Sequence, residues 1–137
     1  KNYANNFLKM NDLQDYVSLV GWADEIKKSQ LLESSNIFIL PSWNEGFPNA
    51  LIESMSAGLA SIVTKVGMIP DFTKHGENCL LIEPKNVPEI VSSLEKLFKN
   101  KQLTEKIGRN GHLYANSNFT VDNGLELLSK EIQKILP

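Results

Sequence analysis

Short apolar runs alternate, over the first two thirds of the chain, with stretches whose apolar positions recur every three or four residues. Residues 37–40 (Ile-Phe-Ile-Leu), 60–64 (Ala-Ser-Ile-Val-Thr) and 79–82 (Cys-Leu-Leu-Ile) are short and largely apolar, the pattern of strands buried on both faces. Residues 16–20 (Tyr-Val-Ser-Leu-Val), closed by Gly21, predict a further strand, four in all. Residues 2–10 read as the end of an amphipathic helix through Tyr3, Phe7, Leu8 and Met10. Helices are expected over 25–34, with Asp24 as N-cap and Ile26, Leu31 and Leu32 buried, over 48–57, and briefly over 69–74. The Val-Gly-Met-Ile-Pro run at 66–70 and the His-Gly-Glu-Asn run at 75–78 read as loop and turn. Beyond Pro84 the pattern is helical only. Residues 88–99 open at Pro88 and carry a stripe of Ile90, Val91, Leu94, Leu97 and Phe98. A more polar helix over 102–117 centres on Leu103, Ile107 and Leu113, and a final one over 121–136 on Leu125, Leu128, Ile132 and Ile135.

Strands of four or five residues separated by helices of about ten predict parallel βαβ units with right-handed crossovers. The expected class is therefore α/β, a Rossmann-like parallel sheet with helices on both faces. Such a sheet normally begins with a strand, whereas this chain begins with a helix. The expectation is thus a domain cut short at its amino-terminal side.

Composition narrows the function classes. A length of 137 residues suits one packed domain, and 42% hydrophobic with 22% charged residues excludes a disordered chain. A formal charge of −2 supplies no electrostatic case for nucleic acid. Cys79 stands alone, which rules out an internal disulfide or a cysteine metal cluster and suits a reducing, cytoplasmic setting. No apolar run approaches the roughly 18 residues of a membrane span, and no signal peptide is visible.

The candidate chemistry gathers in 37–58. A buried strand leads through a polar turn into a helix that opens at Pro48, suited to a first helical position, and closes at Gly58, suited to the left-handed residue beyond a helix end. In α/β sheets such strand–turn–helix junctions bind anions, because free N–H groups and the helix dipole point outward there. Glu45 and Glu53 flank the junction. At about 100° per residue, Leu51, Ile52 and Met55 point to one side of the helix and Asn49, Glu53 and Ser56 to the other. On spacing alone, Glu53 reads as a solvated helix residue and Glu45 as a polar loop residue, since exposed glutamates are common. Against that plainer reading stand the position of Glu45 before a helix, the aromatic Phe47 in a turn, and the small residues Gly46, Ala50, Ser54 and Ala57 that permit close approach.

The stretch Pro-Ser-x-x-Glu-Gly-Phe-Pro-Asn-Ala-Leu-Ile-Glu-Ser-Met-Ser-Ala-Gly closely resembles the signature of the group 1 (retaining, GT-B fold) glycosyltransferases, whose core is two glutamates separated by seven residues, here Glu45 and Glu53. Val-Gly-Met-Ile-Pro-Asp at 66–71 resembles the family's Val-Gly-Gly-Ile-Pro-Glu. His-Gly-Glu-Asn-Cys-Leu-Leu-Ile-Glu-Pro at 75–84 is similar to Asp-Gly-Glu-Asn-Gly-Leu-Leu-Val-x-Pro, and Val-Gly-Trp at 20–22 to the Leu-Gly-Phe/Trp beside the nucleotide base. The similarity covers most of 13–120. It implies that the whole chain, 1–137, is a partial carboxy-terminal, donor-binding domain, an N-terminally truncated half of a GT-B fold. Glu45 would contact hydroxyls of the donor sugar and Glu53 the ribose, as the catalytic pair. Backbone N–H groups of Gly46, Phe47, Asn49, Ala50 and Leu51 would hold the diphosphate and sugar, and Val20, Gly21 and Trp22 would border the base. Carboxylates accept from sugar hydroxyls and a helix N-terminus offsets diphosphate charge, so this chemistry agrees with the local reading.

The implied activity is hexosyl transfer with retention from a nucleoside diphosphate sugar, a UDP-sugar by analogy with the Pro-Asn-Ala turn, to a glycan or lipid-linked acceptor in cell-surface polysaccharide synthesis. The donor would be a substrate, and neither cofactor nor metal is implied. The acceptor would be bound by an amino-terminal domain, and the parent protein would be cytoplasmic, at most peripheral to the inner face of the membrane. Two departures stand out. Met68 replaces a glycine, and the family's phosphate-binding Arg and Lys have no counterpart, although Lys65 follows a strand end. The isolated chain is therefore expected to be inactive. The alternatives are a non-catalytic nucleotide-sugar-binding module and another GT-B enzyme such as a sugar-nucleotide epimerase. His75 reads as a turn residue, His112 as a surface group, and Trp43 either as a pocket rim or as packing beneath the turn.

Overall fold

The computed structural model describes residues 2–135, which form two compact units that divide after Gln30. In chain order the elements are α1 (Asn2–Met10), α2 (Glu25–Glu33), β1 (Ile37–Leu40), α3 (Asn49–Ser56), β2 (Ala60–Thr64), α4 (Ile69–Phe72), β3 (Leu80–Ile82), α5 (Val87–Lys99), α6 (Lys101–Asn118) and α7 (Val121–Ile135). Leu136, the last residue of the helix expected over 121–136, lies outside the described residues.

The first unit holds α1, a turn and the start of α2. The Asn11-Asp12 pair breaks α1 as expected, with Asp12 in the left-handed region at φ 54° and the Leu13 N–H closing onto Leu8 O at 3.0 Å. Residues 16–20 form no strand, contrary to their alternating pattern. A strand requires a neighbour for its backbone groups, and no described strand pairs with this segment. The N–H groups of Tyr16 and Val17 instead close turns onto Leu13 O, leaving Val17, Leu19 and Val20 well exposed. Asp24 does cap α2, its Oδ1 accepting from the Lys27 N–H at 2.8 Å. Of the three α2 residues expected inside, Leu31 and Leu32 are half-buried and Ile26 is exposed.

The second unit is a three-stranded parallel sheet in the order β1-β2-β3. Ile39 lies opposite Ile62, and Ile62 opposite Leu80. Cys79 joins only through an isolated bridge to His75, so β3 starts one residue later than its apolar run. Alternation along the strands divides the core in two. Phe38, Leu40, Val63 and Leu81 face Leu51 and Met55 of α3, Ile69 and Phe72 of α4, and Ala115 of α6. Ile37, Ile39, Ile62, Leu80 and Ile82 face Ile90, Leu94 and Leu97 of α5 and Leu103 and Ile107 of α6. Helices therefore cover both faces, which explains why the central strand β2 is buried at every position.

Helix α6 serves both cores because it crosses the amino-terminal edge of the sheet. A β-carbon on Gly108 would lie 2.2 Å from Gly58 O, so the backbones touch there. Gly58, at φ 82°, ends α3 in a Schellman arrangement, with its own N–H on Met55 O at 2.9 Å and the Leu59 N–H on Ser54 O at 3.0 Å. Asn100 separates α5 from α6 and caps the latter through the Leu103 N–H, while Asn86 caps α5 through the Glu89 N–H. With α6 closing the amino-terminal edge, the carboxy-terminal ends of the strands stay open. Helix α7 buries none of its residues in the described structure.

Two measurements test this packing. Gly108→Ala forces a methyl against backbone that cannot yield, and overpacking of this kind predicts a loss of about 2 kcal/mol in denaturant unfolding. Cys79 is fully buried, and desolvation pushes its thiol up from an ordinary 9.0 to about 11, partly countered by a hydrogen bond with Thr73. Because the folded state favours the protonated form, the associated stability is present below pH 9 and lost as pH rises toward 11. The stability difference between the wild type and Cys79→Ala is expected to shrink over that interval, and native Cys79 to resist thiol reagents at neutral pH.

Candidate functional site

Ligands of parallel sheets bind beyond the carboxy-terminal strand ends. There β1 leads into the 41–48 loop, β2 into 65–68 and β3 into 83–86. The first of these loops is built largely by its neighbours. Thr64 Oγ1, at the end of β2, donates to Ser42 O at 2.7 Å. Ser42 Oγ donates in turn to Glu45 Oε1 at 2.5 Å, which orients the part-buried carboxylate. Gly67, at φ 55°, lies so close that a β-carbon there would stand 2.0 Å from Glu45 O. The Met68 N–H approaches Gly46 O at 3.4 Å, and the Met68 side chain is half exposed beside it.

Pro48 is the N-cap of α3 rather than its first helical residue, and its backbone carries no N–H to leave unpaired. Of the five N–H groups singled out in sequence, those of Asn49 and Leu51 turn inward, onto Phe47 O and Pro48 O at 3.0 Å each. Those of Gly46, Phe47 and Ala50 donate to no acceptor among the described residues. Three donors thus remain at the helix entrance beside the Glu45 carboxylate. An N-terminal helix dipole and unpaired N–H groups together favour an anionic ligand.

Glu53 lies about one turn inside α3, half-buried, with Asn49 exposed and Ser56 half-buried. On the opposite side of the helix Leu51, Ser54 and Met55 are buried and Ile52 partly so, as the helical spacing implies for the three apolar residues. Ser54 is more than a small spacer: its hydroxyl donates to Leu51 O at 2.8 Å and lies 3.2 Å from Ser61 Oγ on β2. Val20, Gly21 and Trp22 fall in the first unit, where Trp22 is 95% exposed and Gly21 adopts φ 75°.

Phe47 is the aromatic side of the junction. Its ring centre lies 6.3 Å from that of Phe72 and 5.8 Å from that of Phe119. Trp43 does not pack beneath the turn. It is 73% exposed, and Lys85 Nζ sits 4.8 Å from its ring centre. Lys85 holds φ 63°, an uncommon conformation for a lysine. Lys65 is exposed at the end of β2. His75 is a turn residue, its Nδ1 accepting from the Leu81 N–H at 3.0 Å, and His112 is an exposed residue whose Nδ1 meets Ser56 O at 2.6 Å.

A cavity of about 520 Å³ opens elsewhere, lined by Asp71, Phe72, Lys74, Asn78, Tyr114 and Asn118. Neither Glu45 nor Glu53 borders it. The junction's unpaired N–H groups and fixed carboxylate make the stronger chemical case, on an open shelf. Four residues that shape the shelf escape a reading of local pattern: Ser42, Thr64, Gly67 and Phe119. Ser42 and Gly67 do fall inside the matched motifs, which is the one signal that marks them.

Comparison with known proteins agrees with this geometry. Residues 2–113 match the family model of the group 1 glycosyl transferases. A glycosyltransferase of Haemophilus influenzae is 30% identical over 132 residues, 96% of this chain and 35% of the relative. The capsular polysaccharide biosynthesis glycosyltransferase CapM of Staphylococcus aureus is 32% identical over 85 residues, 62% of this chain and 22% of its own. Anabaena HepE, solved in complex with UDP, superposes with a TM-score of 0.88 at 20% identity over 97% of this chain and 36% of its own. The chain spans about a third of the length of its relative from Haemophilus. Its sheet is that of the GT-B glycosyltransferases, and no described helix is long and apolar enough to cross a membrane. With the Glu45 and Glu53 spacing, the open helix entrance and the family match in agreement, the chain belongs to the group 1 glycosyltransferases.

Proposed function

We propose that this chain supplies the donor-binding shelf of a retaining hexosyltransferase that uses a nucleoside diphosphate sugar, with UDP as the nucleotide. The observation that carries the reading is the entrance of α3, where three unpaired N–H groups stand beside a carboxylate held by Ser42. The N–H groups of Gly46, Phe47 and Ala50 take the diphosphate and the adjoining sugar oxygens, and stabilise the charge that builds on the departing phosphate. Glu45 accepts from sugar hydroxyls and Glu53 from the ribose. Asn49 and Leu51 contribute less than the other three, since their N–H groups are engaged locally. The complexes of Anabaena HepE with UDP and with UDP-glucose support a uridine nucleotide. The likeness to CapM supports a role in surface polysaccharide synthesis; a glycan or lipid-linked acceptor and a cytoplasmic site of action complete the proposal.

Two variants separate the assigned roles. Charge-assisted hydrogen bonds of this kind predict that Glu45→Ala weakens UDP-glucose roughly tenfold or more while sparing UDP, whereas Glu53→Ala weakens both. Calorimetric titration of the full-length protein checks this, and unchanged nucleotide affinity in Glu53→Ala would remove the ribose assignment. The 137-residue chain alone is expected to bind donor without transferring sugar, because acceptor and donor meet in a cleft between two domains. Turnover by that chain with any UDP-sugar and acceptor would contradict this.

A further inference from the structure

We infer that Phe119 is a positioning residue for the 45–47 turn, holding it through Phe47 from the junction between α6 and α7. This inference rests on the donor-shelf reading. The turn has little hold of its own. Its N–H groups from Trp43 to Phe47 donate to no acceptor among the described residues, and its one outward backbone contact, Met68 N–H to Gly46 O, is long at 3.4 Å. Thr64 and Gly67 support it from the sheet side. The support on the other side is aromatic, and Phe119 is its hub.

Phe119 takes part in three ring pairs: with Phe47 at 5.8 Å and 76°, with Phe72 at 5.3 Å and 78°, and with Tyr114 at 5.9 Å and 64°. All three are edge-to-face, the favoured arrangement for ring quadrupoles. By contrast Phe47 meets Phe72 at 6.3 Å and an intermediate 43°. Phe119 is itself anchored. It is the C-cap of α6, its N–H on Ala115 O at 2.9 Å, and Ala115 is buried against the sheet. The path of force therefore runs from the core through the end of α6 to the Phe47 ring, 72 positions upstream.

Phe47 lies between Gly46 and Pro48, so a ring held in place also holds the N–H groups of Gly46 and Phe47 and the backbone of Glu45. With the Phe119 edge removed, Phe47, already 47% exposed, keeps only its looser partner. The donors then lose their fixed spacing while the sheet, whose buried strands do not include Phe119, stays folded. Because Glu53 sits on α3 rather than in the turn, the loss falls on the sugar and its phosphate more than on the nucleoside.

The test compares Phe119→Leu and the milder Phe119→Met with wild type in the full chain, by amide-resolved NMR without ligand and by titration with UDP-glucose and UDP. The expected result is shifted or broadened amides at 45–47 with β2 and β3 unchanged, and about tenfold weaker UDP-glucose, the scale of lost ring pairs, with a smaller loss for UDP, whose diphosphate keeps the Ala50 N–H and whose ribose keeps Glu53. Phe119→Tyr, which keeps the ring, is expected to restore both readouts. Unchanged 45–47 amides would overturn the inference, as would perturbation spread equally through β2 and β3, which would make Phe119 a general core residue. Failure of the wild type to bind UDP-glucose or UDP strikes instead at the donor-shelf reading, and the ligand-free amide comparison still decides the role of Phe119.

Discussion

The carbonyl of Glu45 occupies space that any side chain at residue 67 would claim. That close approach, with only 2.0 Å left for a β-carbon, seats the turn after β1 against the loop after β2. It depends on a glycine, doubly so because φ at this position is 55°. With the turn so seated, Ser42 reaches the Glu45 carboxylate, Thr64 reaches Ser42 O, and the N–H groups of Gly46 and Phe47 have no acceptor among the described residues. A turn built this way leaves its own donors unspent. It is stabilised by what touches its carbonyls and side chains, and its amides remain for a ligand.

The two edges of the sheet divide the work. At the amino-terminal edge α6 passes over the end of α3, backbone to backbone at Gly108 and Gly58, and joins both hydrophobic cores. There the Schellman bonds satisfy the end of α3, Asn100 caps the start of α6, and no buried side-chain nitrogen or oxygen among the described residues lacks a partner. At the carboxy-terminal edge the balance is reversed. Trp43 and Lys65 stand exposed, Lys85 holds a left-handed backbone, and three amides are open. Packing is spent on one edge and chemistry on the other.

Much of this is legible in the chain itself. β1 and β2 fall where continuous apolar runs place them, because strands covered on both faces need apolar residues at every position. Gly58 announces its left-handed cap, and the spacing of the glutamates at 45 and 53 points to the family that the chain matches. The misses share a cause, which is that they depend on residues distant in sequence. Residues 16–20 have a strand's alternation but no paired neighbour. Pro48 is the N-cap of α3 rather than its first helical residue, a boundary of one position that local pattern does not resolve. The inward turn of the Asn49 and Leu51 amides is decided by the shape of the Phe47-Pro48 bend. Phe119 carries no local signal for contact with Phe47; only the antiparallel run of α6 beside α3 brings them together.

The claim at the centre is that the entrance of α3 receives the diphosphate sugar. Amide-resolved NMR of the wild-type protein titrated with UDP-glucose tests it most directly. The largest shifts are predicted at Gly46, Phe47 and Ala50. Shifts confined to the cavity between Asp71 and Asn118, with 46–50 unmoved, would contradict it.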